Sequence, residues 1–221
     1  MKKLTAVIPV RKGSVRVKNK NLKPFAGTTL LEIKIKQLKQ ISLIDDIFVS
    51  SDCKKMLKIA TNLGVKTHLR DEYFASSEAT NSEFFNNLAD SIPAEYIMYS
   101  PVTCPLISLE TYRDCVRSFK KDEKIDNLVT VKQIKHHMWM DGKPLNYKIS
   151  ESPNSQDLPD INAITYGISI ISKENMLKFN NIVSENPTFR ILDEIESIDI
   201  DTEFDFMIAE MIYRKLYGDL K

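Results

Sequence analysis

The stretch of the chain richest in potential binding groups is residues 11–23 (RKGSVRVKNKNLK), which holds six basic side chains and no acidic one. It directly follows an apolar run at residues 4–10 that predicts a β-strand. Open α/β sheets bind ligands in the loops outside the carboxyl ends of their strands. A basic loop in this position therefore indicates a site for phosphate groups.

Four residues of this loop have the properties that phosphate binding requires. Gly13 and Ser14 are small, so backbone N–H groups can approach phosphate oxygens, and Arg11 and Lys20 can neutralise the phosphate charge. The GxxxxGK[ST] spacing of a Walker loop and the three glycines of a dinucleotide-binding motif are both absent. A solvated basic surface is the alternative interpretation.

Two carboxylates lie near the other end of the chain, in the sequence ESIDID at residues 196–201. If residues 197–200 form a strand, Asp199 and Asp201 lie on one face of it. Such a pair suits Mg²⁺, which typically takes one or two carboxylates together with substrate phosphates. The competing interpretation is structural, because Asp201 or Thr202 and the two acids that follow would also cap and charge the first turn of a helix.

Two further loops follow predicted strands at the same edge of the sheet. Asp52, in the first, could accept hydrogen bonds from a neighbouring loop or a ligand, but we expect it to cap the next helix. Thr103 and Cys104, in the second, lie between Pro101 and Pro105 and could contact a nucleotide. A turn bracketed by prolines would also explain them.

Alternating strand and helix patterns carry these candidates and predict a mostly parallel sheet with helices on its faces. The predicted strands span residues 4–10, 47–50, 65–69, 96–99, 127–131, 167–171 and 197–200. The predicted helices span residues 30–40, 54–62, 82–90, 109–119 and 202–217. Gly64 is placed to end the second helix.

The alternation breaks at residues 143–166, a polar stretch with three prolines. It is much longer than the roughly 4–6 residues of an ordinary connection. We interpret it as a lid, a binding loop or an arm that reaches a partner subunit, and a disordered surface loop is the alternative. The prediction is one domain over residues 1–221, with an inserted arm or loop at about residues 137–166.

The overall composition is that of an ordinary globular protein. With 221 residues, 43% of them apolar, and a net charge of +1, the chain can bury a core but has no general attraction to nucleic acid or to acidic membranes. Three cysteines without paired spacing favour a reducing compartment. No apolar run approaches the roughly 18 residues of a membrane span, and the N-terminus shows no signal-peptide pattern. We therefore expect a cytoplasmic protein with small-molecule partners.

Seven segments read IPVRKGSVRVKNKNL, VSSD, LRDEYFASSEAT, TCPL, QDLP, YGISII and ESIDIDTEFDF. In this order they resemble the acylneuraminate cytidylyltransferase family, which includes CMP-sialic acid and related CMP-sugar-acid synthetases. The resemblance implies a three-layer, Rossmann-like nucleotide-diphospho-sugar transferase fold whose arm joins two subunits into a homodimer. It also implies a reaction in which, with CTP and Mg²⁺, CMP is transferred to an acceptor and pyrophosphate is released.

The resemblance further implies roles for the matching residues. Those that would hold the triphosphate and ribose are Arg11, Ser14, Lys20 and Asn21. Those that would face the cytidine are Arg70, Ala79 and Asn81. The acids that match the family's metal ligands are Asp199 and Asp201. Of these groups, Arg11 and Lys20 would also stabilise the departing pyrophosphate, and Asp199 would orient or deprotonate the acceptor.

Departures from the family pattern fall on the acceptor side. The family's QPTSPLR reads PVTCPLI here, so Pro101 replaces a sugar-contacting Gln and Ile107 replaces an Arg. RPNGAIY reads ITYGISI, which places Tyr166 at the Asn, and the usual Lys-Gly of the first loop is Val15-Arg16. Because an acceptor carboxylate normally meets an arginine fork, these changes weigh against sialic acid itself.

Three hypotheses follow. In the first, the acceptor is a nonulosonic, sialic-acid-like sugar acid for surface glycan synthesis, contacted by Arg16, Thr103 and Tyr166. In the second, CTP-dependent transfer uses a different hydroxy- or phosphate-bearing acceptor whose anionic group meets Arg16 or Lys18. In the third, the protein binds a nucleotide without catalysis, against which the presence of all the predicted phosphate and metal groups weighs.

Overall fold

A seven-stranded sheet organises the protein, of which the computed structural model describes residues 2–14 and 16–219. In chain order the strands are β1 (Leu4–Pro9), β2 (Asp46–Ser51), β3 (Lys66–Leu69), β4 (Tyr96–Tyr99), β5 (Asn127–Ile134), β6 (Ile161–Ser172) and β7 (Thr188–Ile191). They lie side by side in the order β7-β5-β6-β4-β1-β2-β3. Strand β6 is antiparallel to both of its neighbours, whereas the other pairs are parallel. The prediction of a mostly parallel sheet is confirmed.

The α-helices of the described chain cover both faces of this sheet. They are α1 (Leu30–Lys39), α2 (Lys54–Asn62), α3 (Asn81–Ser91), α4 (Leu109–Lys121), α5 (Lys173–Phe179) and α6 (Glu203–Tyr217). Gly64 follows α2 with a φ of +73°, the left-handed conformation that ends many helices. In the described residues, no helix reaches the combination of length and hydropathy that a bilayer crossing demands.

Alternating side chains of β1 show how the core divides into two layers. Leu4, Ala6 and Ile8 pack into a cluster with α1, α2, α4 and α6, whereas Val7 packs into a second cluster with α3 and α5. All four side chains are fully buried. The continuous apolar run that predicted this strand therefore reflects burial on both faces, as expected for a parallel sheet between helices. The architecture has the three layers that were expected.

The prediction of a strand at residues 197–200 is wrong. This segment forms no ladder with any described strand. Instead, the backbone N–H of Ile200 donates to the carbonyl oxygen of Thr103 at 2.9 Å, and the Ile200 side chain is fully buried. Ile198 also packs against the core. The two isoleucines therefore produce the same apolar alternation that a strand would show, although the segment pairs with no strand.

Two elements had no counterpart in the sequence prediction. Helix α5 has seven residues and strand β7 has four. Helix α5 is too short to display a clear helical period, and all four residues of β7 are exposed, so no buried apolar face marks this strand.

Residues 135–160 contain most of the predicted insertion. Trp139–Met140 pairs antiparallel with Lys143–Pro144 in a small hairpin. Asp141 and Gly142 connect them with φ angles of 51° and 73°, the positive values of a tight two-residue turn.

The end of the predicted insertion belongs to the sheet. Strand β6 already begins at Ile161 and pairs with β5 from there. Its first four residues alternate between partly buried and exposed, but the exposed positions hold Asn162 and the apolar Ile164, so the sequence shows no clear alternation of polar and apolar residues.

A bulge interrupts β6 next to the carboxyl end of β4. The register of β6 against β5 shifts between Ile164 and Ser169. The hydroxyl of Thr130 accepts from the backbone N–H of Ile168 at 2.9 Å, and the Thr165 hydroxyl donates to the Thr130 carbonyl at 3.0 Å. Threonine side chains thus replace ladder bonds that the bulge removes, as buried backbone groups require.

Gly167, within this bulge, has no room for a side chain. A Cβ at this position would lie 2.5 Å from Cδ1 of the buried Ile107. A side chain at residue 167 would therefore have to displace the end of Ile107 from its buried position.

We expect Gly167→Ala to lower the free energy of unfolding by about 1–3 kcal/mol, the usual cost of overpacking a core. Gly13→Ala is the matched control because a Cβ there meets no atom within 4 Å, and its effect should stay within about 0.5 kcal/mol. Chemical denaturation measures both. Ile107→Val removes the clashing Cδ1 atom and should recover part of the loss in the double variant; no recovery would contradict the steric cause.

Candidate active site

A cleft of about 580 Å³ opens at the carboxyl ends of β1, β3 and β4. Its walls come from the loops that follow these strands, from the bulge in β6 and from the segment before α6. Parallel strands end at one edge of a sheet, so loops far apart in sequence meet there. The predicted site residues that line the cleft are Arg11, Ser14, Arg16, Lys20, Asn21, Arg70, Ala79, Asn81, Thr103, Tyr166, Asp199 and Asp201.

Two residues of the first loop stand apart from this group. Gly13 is exposed and is not among the residues that line the cleft, so its role toward phosphate stays a prediction. Val15, where the chain departs from the family pattern, lies outside the described residues.

Arg11 connects two walls of the cleft. Its Nη1 donates to the carbonyl oxygens of Ala75 and Ser76 at 2.9 and 2.8 Å, in the loop that follows β3. The side chain of the buried Asn21 donates to the Arg11 carbonyl at 2.9 Å and stabilises the backbone of the basic loop. The guanidinium is therefore held between the predicted phosphate side and the predicted cytidine side.

Arg70 forms the buried floor beside Arg11. Its Nη2 donates to the carbonyl of Val10 at 2.6 Å, and its guanidinium carbon lies 4.9 Å from the centre of the Phe84 ring. Burial lowers the pKa of Arg70 to about 10, although the carboxylate of Asp52 opposes this shift. The buried Nε of Arg70 has no protein partner, so this side chain retains a donor for a further polar group.

Asp52 stabilises the basic loop and does not cap a helix. Its Oδ1 accepts from the backbone N–H of Lys12 at 3.0 Å. Helix α2 begins after Cys53 without a side-chain cap. The expectation that Asp52 caps this helix is wrong, and the alternative loop contact is the one observed.

The two predicted acids meet two cations of the basic loop. Nζ of Lys20 donates to the carbonyl oxygen of Ile200, the residue between Asp199 and Asp201. Oδ1 of Asp201 pairs with Nη2 of Arg16 at 2.6 Å, and both side chains are substantially exposed. The cluster thus combines two carboxylates with two cations at one end of the cleft.

Burial governs the ionisation of the inner members of this cluster. It raises the pKa of Asp199, while a hydrogen bond from Thr103 and the charge of Lys20 act in the opposite direction. Burial also lowers the pKa of Lys20, and the charges of Asp199 and Asp201 counteract it. Both groups lose hydration on folding, and each favours the charged form of the other.

The acids that follow Asp201 have structural roles. Asp205 completes a capping box in which the Thr202 side chain accepts from the Asp205 backbone N–H, and Asp205 accepts from the Thr202 backbone N–H at 2.7 Å. Glu203 pairs with Lys23. The structural interpretation therefore holds for Glu203 and Asp205, which face helix and loop partners.

The donor set fits Mg²⁺ only in combination with a ligand. Within residues 2–14 and 16–219 no group of three or more His, Cys, Asp and Glu side chains could hold a metal ion. Asp199 and Asp201 are hard oxygen donors that face the same cleft. Magnesium typically takes one or two carboxylates and completes its shell with waters and substrate phosphates, so two acids beside a basic loop are sufficient.

The bulge in β6 and the loop after β4 form the wall of the cleft beside Asp199. Tyr166 has a φ of 56°, unusual for a residue other than glycine, and lines the cleft with its side chain half exposed. Thr103 lines the cleft beside it, and Cys104 lies beneath with Sγ 3.7 Å from Oδ1 of Asp199. Strained backbone of this kind is concentrated at functional sites.

An aromatic wall of the cleft was missed in the sequence. Phe74, Phe84, Phe85 and Tyr99 line the cleft, and the Phe85 and Tyr99 rings pack edge to face at 5.6 Å. A signal was available, because Phe84 and Phe85 lie three and four residues after Asn81 on α3 and share its helix face.

Comparisons with known proteins agree with this geometry. Among curated proteins, the chain is 24% identical to post-translational flagellin modification protein B of Campylobacter coli, over 97% of each chain. It is 27% identical to the CMP-N,N'-diacetyllegionaminic acid synthase of Legionella pneumophila, over 95% of this chain and 96% of that protein. A solved CMP:2-keto-3-deoxy-manno-octonic acid synthetase, complexed with CTP, shares the fold with a TM-score of 0.70 at 11% identity, over 97% of this chain and 99% of that one.

The family model described as cytidylyltransferase matches residues 5–145, which is more than half of the chain. This range includes the basic loop, the floor around Arg70 and the loop after β4. The chain belongs to the cytidylyltransferase family.

Proposed function

We propose that this protein transfers CMP from CTP to a nonulosonic, sialic-acid-like sugar acid and releases pyrophosphate. The observation that carries the proposal is the single cleft in which the basic loop, the Arg70 floor and the Asp199–Asp201 pair meet. The Legionella relative, a CMP-N,N'-diacetyllegionaminic acid synthase, supports this class of acceptor. We further propose the cytoplasm as the compartment, since the reaction consumes CTP.

In this proposal CTP lies along the cleft with its phosphates on the basic loop. Arg11, Ser14, Lys20 and Asn21 bind the triphosphate and ribose. Arg70, Ala79 and Asn81 face the cytosine, beside the exposed edge of the aromatic wall. The lost hydration of Arg70 and Lys20 strengthens their interaction with an anion, because charges interact more strongly in a water-poor cleft.

Mg²⁺ would be held by Asp201 and Asp199 together with the phosphates of CTP. When bound, the ion would supply positive charge at the oxygens of the reacting phosphate. Because Arg16 pairs with Oδ1 of Asp201 in the structure, that guanidinium would move aside if the ion took the same oxygen.

The chemical step is an in-line displacement at the α-phosphorus. The acceptor hydroxyl oxygen forms a bond to phosphorus, the bond to the β-phosphate oxygen breaks, and pyrophosphate leaves with the electron pair. Arg11 and Lys20 neutralise the departing charge. Asp199 orients the hydroxyl and accepts its proton. Positioning and charge neutralisation supply most of the catalysis in such transfers.

Arg16, Thr103 and Tyr166 form the acceptor end of the cleft in this proposal. Once released from Asp201, Arg16 can meet the acceptor's carboxylate with two parallel N–H donors. Ile107, which stands at a family arginine, packs beneath Gly167 and contributes no charge to the cleft. Recognition of an acidic acceptor therefore depends on Arg16.

A pyrophosphate-release assay with CTP, Mg²⁺ and a panel of nonulosonic acids and phosphate-bearing alcohols tests the function. We expect release with a sugar acid, and a fall of about a hundredfold or more in turnover for Asp201→Asn, because several kcal/mol of charge stabilisation is lost. Glu203→Gln is the matched control, since Glu203 pairs with Lys23, and it should retain activity. Pyrophosphate release with phosphate-bearing alcohols alone would establish the second acceptor class. If neither class of acceptor gave pyrophosphate, the result would contradict catalysis.

Arg11→Ala should weaken CTP binding by about 10- to 100-fold, the usual effect of losing a hydrogen bond to a charged group. Lys12→Ala is the matched control because Lys12 is exposed, lies outside the cleft lining and contacts Asp52 through its backbone. Equilibrium titration with CTP measures both. Equal affinity in the two variants would show that Arg11 does not hold the nucleotide.

We propose that the part of the predicted arm that lies outside the sheet, residues 137–160, joins two copies of the chain into a homodimer. The support is the exposure of apolar side chains on and beside its hairpin. These are Trp139, Met140, Leu145 and Ile149, with exposed fractions of 55%, 60%, 47% and 68%. Apolar patches of this kind mark interaction surfaces.

Light scattering tests the arm. Trp139→Ser combined with Met140→Ser should convert dimers into monomers, since the substitutions remove apolar surface from the contact. Met207→Ser combined with Met211→Ser is the control, because these residues are equally exposed on α6. A dimer that survives the first pair but not the second would place the interface on α6.

A further inference from the structure

Lys34 is a fully buried lysine that the proposed reaction does not use. It lies on α1 with none of its surface exposed. Its ammonium donates to three uncharged oxygens: Oε1 of Gln37 at 2.9 Å, the carbonyl of Cys104 at 3.0 Å and the hydroxyl of Tyr112 at 2.5 Å. Burial lowers the pKa of Lys34 to about 7, which reflects the free energy that the buried charge costs.

The partners of Lys34 hold the loop after β4 from below. The Tyr112 hydroxyl, which accepts from Lys34, lies 2.7 Å from the hydroxyl of Ser100 at the start of the loop. Gln37 donates to the carbonyl of Ile107 at the end of the loop. Together with the Cys104 carbonyl in the middle, these contacts fasten the loop to α1 and α4 at three points.

The upper side of the same loop faces the cleft. Residues 101–103 line it. Sγ of Cys104 lies 3.7 Å from Oδ1 of Asp199, and the carbonyl of Thr103 accepts from the backbone N–H of Ile200 at 2.9 Å. If this loop shifted toward or away from α1, both the part of the cleft lined by residues 101–103 and the segment that carries Asp199 and Asp201 would move with it.

We propose that Lys34 is a positioning residue that sets the loop over residues 100–107, and through it Asp199 and the acceptor end of the cleft. The proposal rests on the proposed function for the identity of the acceptor end. An apolar residue would fill this part of the core without the cost of a buried charge. The ammonium has three protons for the three acceptors, which no apolar side chain can replace.

Kinetics of Lys34→Met test the proposal, with Lys36→Met, an exposed lysine of the same helix, as the matched control. Methionine has a similar length, so the core should stay filled. We expect kcat/KM for the acceptor to fall by about tenfold or more, while the affinity for CTP in the absence of acceptor changes by less than about threefold. Equal losses toward both substrates, together with a lower melting temperature, would indicate a general structural role and overturn the proposal.

Hydrogen exchange separates this proposal from the proposed function. In Lys34→Met, the backbone amides of residues 100, 102–104, 106 and 107 should exchange faster than in Lys36→Met, while amides of β1 and β2 keep their rates. This result is required even if no acceptor yields pyrophosphate, in which case the function fails and the positioning role stands. Unchanged exchange in the loop would overturn the positioning role whatever the activity.

Tyr112→Phe provides the second variant. It removes the hydroxyl between Lys34 and Ser100 and keeps the ring in the core. We expect kcat/KM for the acceptor to fall again while the affinity for CTP stays nearly unchanged, but the fall in kcat/KM should be smaller than in Lys34→Met. If Lys34→Met does not fold, Tyr112→Phe provides the test of the proposal. Kinetics of Tyr112→Phe equal to those of Lys36→Met would then overturn it.

Discussion

The contact between the first loop and the last irregular segment is the constraint on which the site depends. Lys20 donates to the carbonyl of Ile200, 180 residues away in the chain, and so lies between Asp199 and Asp201. Asp199 and Lys20 lose hydration on folding, so the charge of each is stabilised by the opposite charge of the other, whereas the more exposed Arg16 and Asp201 form an ion pair in contact with solvent. The two positive and two negative charges of the cluster offset one another before a ligand binds. When CTP binds with a divalent cation, its phosphates can pair with the basic side chains and the cation with the carboxylates, so no charge is left unpaired.

The acceptor end depends on irregular backbone that the regular sheet stabilises. The bulge in β6 removes ladder bonds, and the hydroxyls of Thr130 and Thr165 replace them. Gly167 then allows the bulge to rest on Ile107. The loop after β4 is pressed between this bulge above and the buried contacts of Lys34 below. Close packing on both sides restricts the motion of the loop. Because the loop lines the acceptor end of the cleft, this rigidity can hold a reacting hydroxyl in line with a phosphate.

Residues of the same type acquired different roles according to what folding placed beside them. Asp199 and Asp201 face the cleft, whereas Asp205 caps α6 four residues further on. Asp52 follows a strand at the ligand edge, yet it accepts a hydrogen bond from the basic loop. Each carboxylate satisfies the nearest donors, and in three of these four positions the donors come from a distant part of the chain.

The sequence by itself determined six of the seven sheet strands, the long helices and the charged members of the site. It could do so because apolar periodicity is local and because the loops after parallel strands must meet at one edge. It was also sufficient for the family, which is carried by short motifs. The sequence could not distinguish a true strand from the segment at residues 197–200, since Ile198 and Ile200 pack against the core without a ladder and leave the same pattern. Only the tertiary structure decided that Arg16 pairs with Asp201, that Phe84 supports Arg70 and that Lys34 lies under the loop after β4. The physical reason is that these partners lie far apart in the chain. The local sequence does not show which distant residue will be buried beside each of them.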